Sequence, residues 1–321
     1  MAKIRIGLIG SGGMASHRAA QFARLATCEL RVIAARNPDT GPTLARQYQV
    51  PLCPDWRDLI AREEVDAVVI CTHNESHGRM AIAALEAGKH VFIEYPLAAS
   101  MQEARQLMAL SCSSGQVLRV AHEPVAPSLR QQVASLGPLL EAVFVRLTPG
   151  RGAQPDILFN LNISGPPVLF FIYHIYPLVD LFGPAGWVAA GAHYTGLQEN
   201  GRYQRFVNTV SAGFVRGGLG QWTWAGGIEI SGAEEYQRLV LEKGTLVRRD
   251  SQWQISTTRG VEELVPERGE EPGLEARFID ELGGQETGWQ EDTRKAFEAV
   301  LLSLAAATSM QEGRRVEVDS A

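Results

Sequence analysis

The chain is short of several things, and each shortage removes a class of protein. It has four cysteines in 321 residues, Cys28, Cys53, Cys71 and Cys112, with no C-x-x-C pair among them. That argues against a disulfide scaffold and a thiolate metal site, and it predicts free thiols in a reducing, cytoplasmic setting. No apolar run approaches the roughly 20 residues that span a bilayer, so no membrane partner is expected. The start, "MAKIRIGLIG", goes directly into a strand pattern and is not read as a signal peptide. Basic residues are not in excess: the net charge is -6, which excludes a large nucleic-acid surface. There is no internal repeat and no low-complexity stretch. What remains, 45% hydrophobic and 21% charged, is a soluble globular protein long enough for two domains.

The first third alternates strand and helix patterns. "KIRIGLIG", "CELRVIAAR", "VDAVVICT", "KHVFIEYP" and "QVLRVAH" read as five strands, with helical stretches between them. That rhythm predicts βαβ units and a parallel sheet covered on both faces. After Pro124 the strands become longer and alternate: "LEAVFVRLTPG", "FVNTVSAGFVRG", "LGQWTWAGGIEIS", "YQRLVLEKGTLVRRD" and "WQISTTRG". They predict an open, mostly antiparallel sheet. "PPVLFFIYHIYPLVDLFG" reads as one buried helix, "RGVEELVPERGEE" as a solvated loop, and "EDTRKAFEAVLLSLAAATSMQEG" as a terminal helix. The fold class is α/β: a Rossmann dinucleotide-binding domain over 1–123, then an α/β substrate and oligomerisation domain over 124–321. The terminal helix, about 290–310, is placed to pack back on the first domain.

Between the first strand and first helix, "GSGGMA" sets Gly10, Gly12 and Ala15 in G-x-G-x-x-G/A spacing, with Gly13 and Met14 inside it. The first glycine permits the tight turn, the second admits a pyrophosphate to the backbone, and the small third residue lets helix and strand pack closely. The helix N-terminus offers N–H groups to the phosphates. The second strand ends "AARNPD", with Ala35 where an acid would hold a ribose 2′-hydroxyl and Arg36 and Asn37 following. This favours NADP(H) over NAD(H). The plainer reading makes Arg36 a solvated loop cation and Asp39 a helix cap.

The set "GSGGMA", "VDAVVICTHNESH", "ALEAGKHVFIEYPLA" and a histidine in the buried helix resembles the Gfo/Idh/MocA oxidoreductase family. "LGPLLEAVFV", "LEKGTLV" and "EGRRVEV" extend the likeness along the chain. The resemblance implies that Thr72, His73, Asn74, His77, Glu94, Tyr95 and Pro96 line the cofactor; no metal site is expected. Two departures stand out. Tyr95 replaces the lysine of Glu-Lys-Pro, and Phe170 and Pro177 occupy the positions flanking His174 where sugar dehydrogenases of the family carry aspartates. A sugar pocket needs several polar partners, because each unpaired buried group costs about 1–3 kcal/mol. The apolar helix suits a large, flat, apolar substrate instead. Glu-Tyr-Pro and the ending "DLFG" look like the biliverdin reductase branch, which implies reduction of a linear tetrapyrrole. His174 stands where those enzymes place an arginine.

Reducing a conjugated bridge needs a hydride and a proton. His174 is the candidate donor, because an imidazole with a pKa near 6.5 gives and regains a proton near neutrality. The plainer reading makes it a core residue. Tyr95 and Glu94 are the other catalytic candidates. Tyr95 equally reads as a buried phenol satisfied by the backbone. His122 and Glu123, at the end of the fifth strand, lie where open α/β sheets bind ligands. Arg146, Arg151, Phe170 and Tyr173 complete the substrate candidates, with surface arginine as the bland alternative. Two other functions stay open: a sugar or cyclitol dehydrogenase with an altered proton relay, and a non-catalytic dinucleotide-binding regulator. A homo-oligomer through the open sheet is expected.

Fluorescence titration should find NADPH bound roughly tenfold more tightly than NADH, about 1.4 kcal/mol. Arg36→Ala should remove the difference. Equal affinities in the unaltered protein would end the argument from Arg36.

Overall fold

The computed structural model describes residues 3–150, 156–249, 252–266, 272–285 and 287–319. Arg151 and part of the charge run 259–271 lie outside the described residues. The chain forms two compact units, Met1–Glu123 with Glu271–Phe297, and Pro124–Glu270 with Glu298–Ala321.

The first unit begins β1 (Ile4–Ile9), α1 (Gly13–Phe22), β2 (Cys28–Ala34), α2 (Thr40–Tyr48), β3 (Leu52–Cys53), α3 (Trp56–Ile60) and β4 (Ala67–Ile70). It continues α4 (Asn74–Glu86), β5 (His90–Ile93), α5 (Met101–Ser113) and β6 (Leu118–Val120). The strands form a six-stranded sheet in the order β3-β2-β1-β4-β5-β6, and every pairing in it is parallel. Five of these strands were legible in the sequence. The sixth, β3, is only two residues long and shows no periodicity. Val68, Val69 and Ile70 of β4 and Val91, Phe92 and Ile93 of β5 are fully buried, which explains their unbroken apolar runs. Ser100 caps the start of α5: its hydroxyl accepts from the Glu103 N–H at 3.2 Å and donates to the Glu103 carboxylate.

The second unit opens with α6 (Pro127–Ser135) and β7 (Leu139–Pro149), then three short helices, α7 (Leu161–Ser164), α8 (Pro167–Phe170) and α9 (Ile172–Phe182). Strands β8 (Ala185–Thr195), β9 (Arg205–Phe214), β10 (Leu219–Ile228), β11 (Glu234–Leu241), β12 (Gly244–Arg249), β13 (Gln252–Thr257) and β14 (Gly260–Leu264) follow. The anticipated single helix is two, because the chain leaves helical geometry at Phe171 (φ -86°, ψ 17°). "YQRLVLEKGTLVRRD" is the hairpin β11–β12, turning at Glu242 and Lys243. The segment read as a solvated loop contributes β14. The buried Asp180 of α9 accepts from the Val125 N–H at 2.9 Å and from Arg130 at 2.5 Å, pinning the start of this unit to its buried helix.

The chain then returns with α10 (Leu274–Leu282), α11 (Trp289–Glu312) and β15 (Val316–Glu317). The nine-stranded sheet runs β14-β13-β12-β11-β7-β10-β9-β8-β15, with β7–β10 parallel and the other pairings antiparallel. Residues 271–297, assigned from sequence to the second domain, belong to the first unit. Phe278 of α10 packs edge-on against Phe22 and Phe92 at 6.3 and 5.6 Å. The buried Arg119 of β6 donates to Glu281 at 2.9 Å and to Asp292 at 3.4 Å. The Thr293 hydroxyl donates to the Leu118 carbonyl at 2.5 Å. Buried polar partners, as well as apolar contacts, fix this return.

Candidate functional site

Gly10 has φ +121°, and a Cβ there would lie 2.1 Å from the Cys71 carbonyl oxygen, so only glycine fits where β1 passes the end of β4. Its N–H donates to the Ala34 carbonyl at 2.9 Å. Gly12 precedes α1 with extended backbone and supplies no side-chain cap. A Cβ on Gly12 or Gly13 would meet nothing within 4 Å. Ala15 is fully buried and Met14 exposed. The turn is therefore a cradle: closed against the sheet at Gly10, open in front of the helix N-terminus, whose first N–H groups lack intrahelical partners. Those residues fit a dinucleotide pyrophosphate.

At the end of β2, Asn37 rather than Asp39 organises the entry to α2, its side-chain oxygen accepting from the Asp39 and Thr40 N–H groups at 2.9 Å each. The Asp39 side chain makes no cap bond. Thr40 and Ser11 of the glycine turn share a hydroxyl hydrogen bond of 2.7 Å. Arg36 is exposed and makes no ion pair among the described residues.

The ends of β4 and β5 carry the remaining cofactor candidates. His73 precedes α4, and the Ser76 hydroxyl donates to its carbonyl at 2.8 Å while sharing a 2.8 Å hydrogen bond with Thr72. Asn74 is buried at the first position of α4. His77, also buried, spans the Pro96 carbonyl (Nδ1, 2.8 Å) and the Thr72 carbonyl (Nε2, 3.1 Å). It ties the loop after β4 to the Tyr95–Pro96 segment, whose peptide bond is cis. Burial lowers the His77 pKa, and the two carbonyls only partly oppose it.

Glu94 is not isolated. Arg18 of α1 donates Nε to Glu94 at 2.6 Å and a terminal N–H to Glu275 of α10 at 2.6 Å, with its guanidinium 5.1 Å from the Phe92 ring centroid. Burial raises the Glu94 pKa against the pull of Arg18. Burial also works against the Arg18 charge, but the two carboxylates prevail and hold it protonated. Sequence reasoning missed Arg18 and Glu275. The pair is 257 residues apart, and nothing local to either residue marks it. Tyr95 stacks on His122 with centroids 5.1 Å apart and planes 9° from parallel. Burial, then Glu94, pushes the Tyr95 phenol up to about 12. Burial pushes His122 down to about 3. Glu123 is exposed.

In the second unit His174 is buried on the sheet. Its ring lies 4.1 Å from that of Phe144 and 4.0 Å from that of Tyr173, and it stacks on Phe171 at 5.6 Å. The Trp224 indole donates to Nδ1 at 3.0 Å, and the Trp222 indole donates to the His174 carbonyl at 3.1 Å. An indole only donates, so Nδ1 is the acceptor and the imidazole proton sits on Nε2, 3.8 Å from the Glu235 carboxylate. Glu235 is held by Arg146 and Arg248, each at 2.6 Å. Burial, then those two arginines, lowers the His174 pKa well below its ordinary value. The expectation of an imidazole titrating near neutrality is thereby corrected: this one is neutral. Phe170 and Tyr173 are half-buried beside it. Arg146 thus joins His174 in one cluster, while Thr72, His73, Asn74, His77, Glu94, Tyr95 and His122 gather at the strand ends of the first unit.

Among the described residues no helix is long and apolar enough to cross a membrane, and no group of three or more His, Cys, Asp or Glu could hold a metal ion. A parallel sheet, a glycine cradle and a helix N-terminus define a dinucleotide-binding Rossmann domain. Residues 4–122 match the model of the oxidoreductase family Gfo/Idh/MocA, NAD-binding Rossmann fold, and that stretch is similar to the family's cofactor-binding domain. Over 120 residues the chain is 33% identical to 4-carboxy-2-hydroxymuconate-6-semialdehyde dehydrogenase of Sphingobium, a match covering 37% of this chain and 38% of that protein. Over 116 residues it is 34% identical to levoglucosan dehydrogenase of Pseudarthrobacter phenanthrenivorans, covering 33% of this chain and 30% of that one. The matches thus span about a third of the length of these relatives. The fold of the whole chain is similar to biliverdin reductase from Synechocystis, solved with biliverdin and NADP+, with TM-score 0.84, 23% identity, and coverage of 96% of this chain and 99% of that one. It is also similar to levoglucosan dehydrogenase solved with NADH and levoglucosan, with TM-score 0.78, 20% identity, and coverage of 98% and 99%.

The open space before Gly12 makes Gly12→Val a clean test. Its circular dichroism should match the unaltered protein while NADPH binding is lost. Normal binding by a folded variant would show that the turn holds no pyrophosphate. The buried neutral His122 makes a second prediction. With its folded pKa depressed to about 3, the unfolded chain takes up the extra proton once pH falls below about 6.5, so stability is full at pH 7 and declines on acidification. His122 alone should cost about 2 kcal/mol between pH 7 and pH 5. His122→Phe, which keeps a ring beside Tyr95, should remove that share in urea unfolding at the two pH values. An unchanged pH dependence in the variant would count against a buried neutral imidazole.

Proposed function

We propose that the chain is an NAD(P)H-dependent oxidoreductase, a reductase preferring NADPH, and that its substrate is a flat conjugated molecule of the biliverdin type. The observation that carries the reading is the pairing of an open glycine cradle with a chain that offers tyrosine, not lysine, beside Glu94. A sugar dehydrogenase would favour hydroxyl-binding groups around His174, and its ring neighbours are Phe144, Phe171, Tyr173 and Trp224.

When bound, the nicotinamide supplies a hydride; the central methine carbon of the tetrapyrrole gains it and a ring nitrogen gains one proton, a two-electron reduction. Tyr95 is the favoured source of that proton, because its phenol stays protonated across the neutral range. Glu94, gripped by Arg18, sets the orientation of Tyr95, its neighbour in the chain. His174 acts as a neutral residue that presents Nε2–H and does not shuttle between charge states. Gly10, Gly12, Gly13, Met14 and Ala15 would hold the pyrophosphate, Arg36 and Asn37 the adenosine ribose, and the Thr72–His77 loop the nicotinamide half. We infer likewise that the protein is cytoplasmic and acts on a small molecule without nucleic acid or membrane. Leu140, Val207 and Leu219, exposed on the nine-stranded sheet, are consistent with association between copies.

Mixing the protein with biliverdin and NADPH should shift the bilin's visible absorbance. Tyr95→Phe should lower turnover by about 10²–10⁴-fold, mainly in kcat. Turnover should show no inflection from His174 between pH 6 and 8. Oxidation of levoglucosan with no change in the bilin spectrum would overturn the substrate assignment in favour of a sugar dehydrogenase. Cofactor binding without turnover on either would favour a regulator.

A further inference from the structure

In the first unit the ends of three neighbouring strands line up. The Cys71 N–H, just past β4, donates to the Ile9 carbonyl of β1 at 2.8 Å. The Glu94 N–H, just past β5, donates to the Ile70 carbonyl of β4 at 3.0 Å. Gly10 and Glu94 thus stand two strand spacings apart, about 10 Å. Arg36 and Asn37 follow β2, on the opposite side of β1. A dinucleotide with its pyrophosphate in the glycine cradle and its adenosine ribose toward β2 therefore extends its nicotinamide half toward Glu94. The charge there does not balance. Glu94 and Glu275 share one guanidinium, that of Arg18, at 2.6 Å each, and among the described residues neither meets a second arginine or lysine. Arg119, the other buried arginine, is taken up by Glu281 and Asp292. His17, exposed on α1, is the remaining basic group facing Glu94. Glu275 lies in the first turn of α10, whose N-terminal dipole offsets about half a charge at most. The remainder is negative, and its neighbours register it. Burial leads in raising the Tyr95 phenol and the Cys71 thiol, and after it Glu94 raises both by more than Arg18 lowers them. A lysine at position 95 would cancel that remainder; Tyr95 does not.

We propose that Glu94 and Glu275, sharing Arg18, leave a net negative charge beside the nicotinamide ring, so that the protein binds the oxidised cofactor more tightly than the reduced one. This rests on the dinucleotide part of the reading above and not on the substrate. Loss of a hydride, with its electron pair, turns the neutral dihydronicotinamide ring into a cation, while the pyrophosphate and riboses keep their charges. Only the ring therefore distinguishes the two forms electrostatically. A buried anion favours the cationic form, because little solvent screens it there. Arg18 pins both carboxylates with its planar fork, so the field has a fixed origin. Tighter binding of the oxidised form lowers the potential of the bound couple by the same factor, which makes the cofactor a stronger hydride donor. Positive charge also develops on the ring as the hydride departs, and a preorganised anion stabilises that transition state. A purely structural triad would hold both forms of the cofactor equally.

The test reads binding by calorimetric titration at pH 8, where histidine side chains are ordinarily neutral. NADP+ should bind about tenfold more tightly than NADPH, the order expected of one net charge at a partly buried site. For a two-electron couple that ratio lowers the midpoint potential of the bound cofactor by about 30 mV. NAD+ and NADH should give the same ratio, so the result does not depend on Arg36. Glu275→Gln keeps an oxygen for Arg18 and removes the excess charge, and it should bring the ratio to about one. Glu94→Gln should do the same. 2′-Phospho-ADP-ribose, which lacks the ring, should bind the unaltered protein and both variants alike. A ratio of one in the unaltered protein overturns the inference, as does a ratio that the folded variants leave unchanged. Equal weakening of NADP+, NADPH and the ring-less fragment in the variants would make the triad structural and overturns it too. Where neither glutamine variant folds, Tyr95→Lys, which supplies a cation beside Glu94, takes their place and should likewise bring the ratio to about one. If neither dinucleotide binds, the inference falls together with the cofactor reading. If the ratios behave as expected and no bilin is reduced, the inference stands and the substrate assignment alone falls.

Discussion

One buried cation organises the first unit. Arg18 leaves the helix that follows the glycine turn, grips Glu94 at the end of β5 and holds Glu275 on α10. Three segments distant in the chain thus meet at a single guanidinium. Such a triad is a poor source of stability, because withdrawing three charges from water costs nearly as much as their attraction returns. It is a good source of position: Arg18's fixed fork of donors leaves Glu94 little freedom. Glu94 stands one residue before Tyr95 and two before the cis Tyr95–Pro96 bond's proline, and His77 holds that proline's carbonyl from the other side. The strand end that faces the proposed chemistry is therefore held from both flanks by polar groups with no freedom to relax into solvent.

The histidines follow the opposite logic. His77, His90, His122 and His174 are all pushed toward the neutral form, and in each case burial is the leading cause. A neutral imidazole costs little to bury, since one nitrogen can donate and the other accept. His174 uses this fully, receiving the Trp224 indole on one nitrogen while keeping its proton on the other. Positive charge is left to arginine, which stays protonated when buried. The division has a chemical consequence. Around neutral pH the proposed sites carry fixed charges and fixed protons, so a proton needed for reduction is more readily drawn from a phenol than from an imidazolium that does not form.

What could be read from the chain divides along physical lines. The parallel strands were legible because burial on both faces writes unbroken apolar runs, and the glycine turn because its three small positions are close in sequence. β8 escaped notice because "AGWVAAGAHYT" is rich in alanine and glycine, with little β-branched signal, and is held in the sheet by pairing with β9. β14 was hidden by its charges: "GVEEL" is an edge strand, where glutamate on the exposed side is expected. The break at Phe171 left no mark in a segment apolar throughout. The return of 271–297 to the first unit depends on Arg119 finding Glu281 and Asp292, and on Arg18 finding Glu275, pairings at sequence separations of 162, 173 and 257. Local pattern carries local structure, and ion pairs of that span are written nowhere locally.

The same division bears on function. The family match ends at His122, one residue short of the second unit. It covers the glycine cradle and the loop after β4, the parts suited to a cofactor that many different reactions share. What distinguishes one substrate from another must come from elsewhere, and two departures give it direction. Replacing lysine by Tyr95 removes a cation from beside Glu94 and puts a neutral, flat donor there. On the second unit's sheet, the rings of Phe144, Phe171, Tyr173 and Trp224 surround that of His174. The proposed substrate class follows from that pair: aromatic rings offer a surface to an extended π-system, whereas a polyhydroxylated substrate needs many hydrogen-bonding partners.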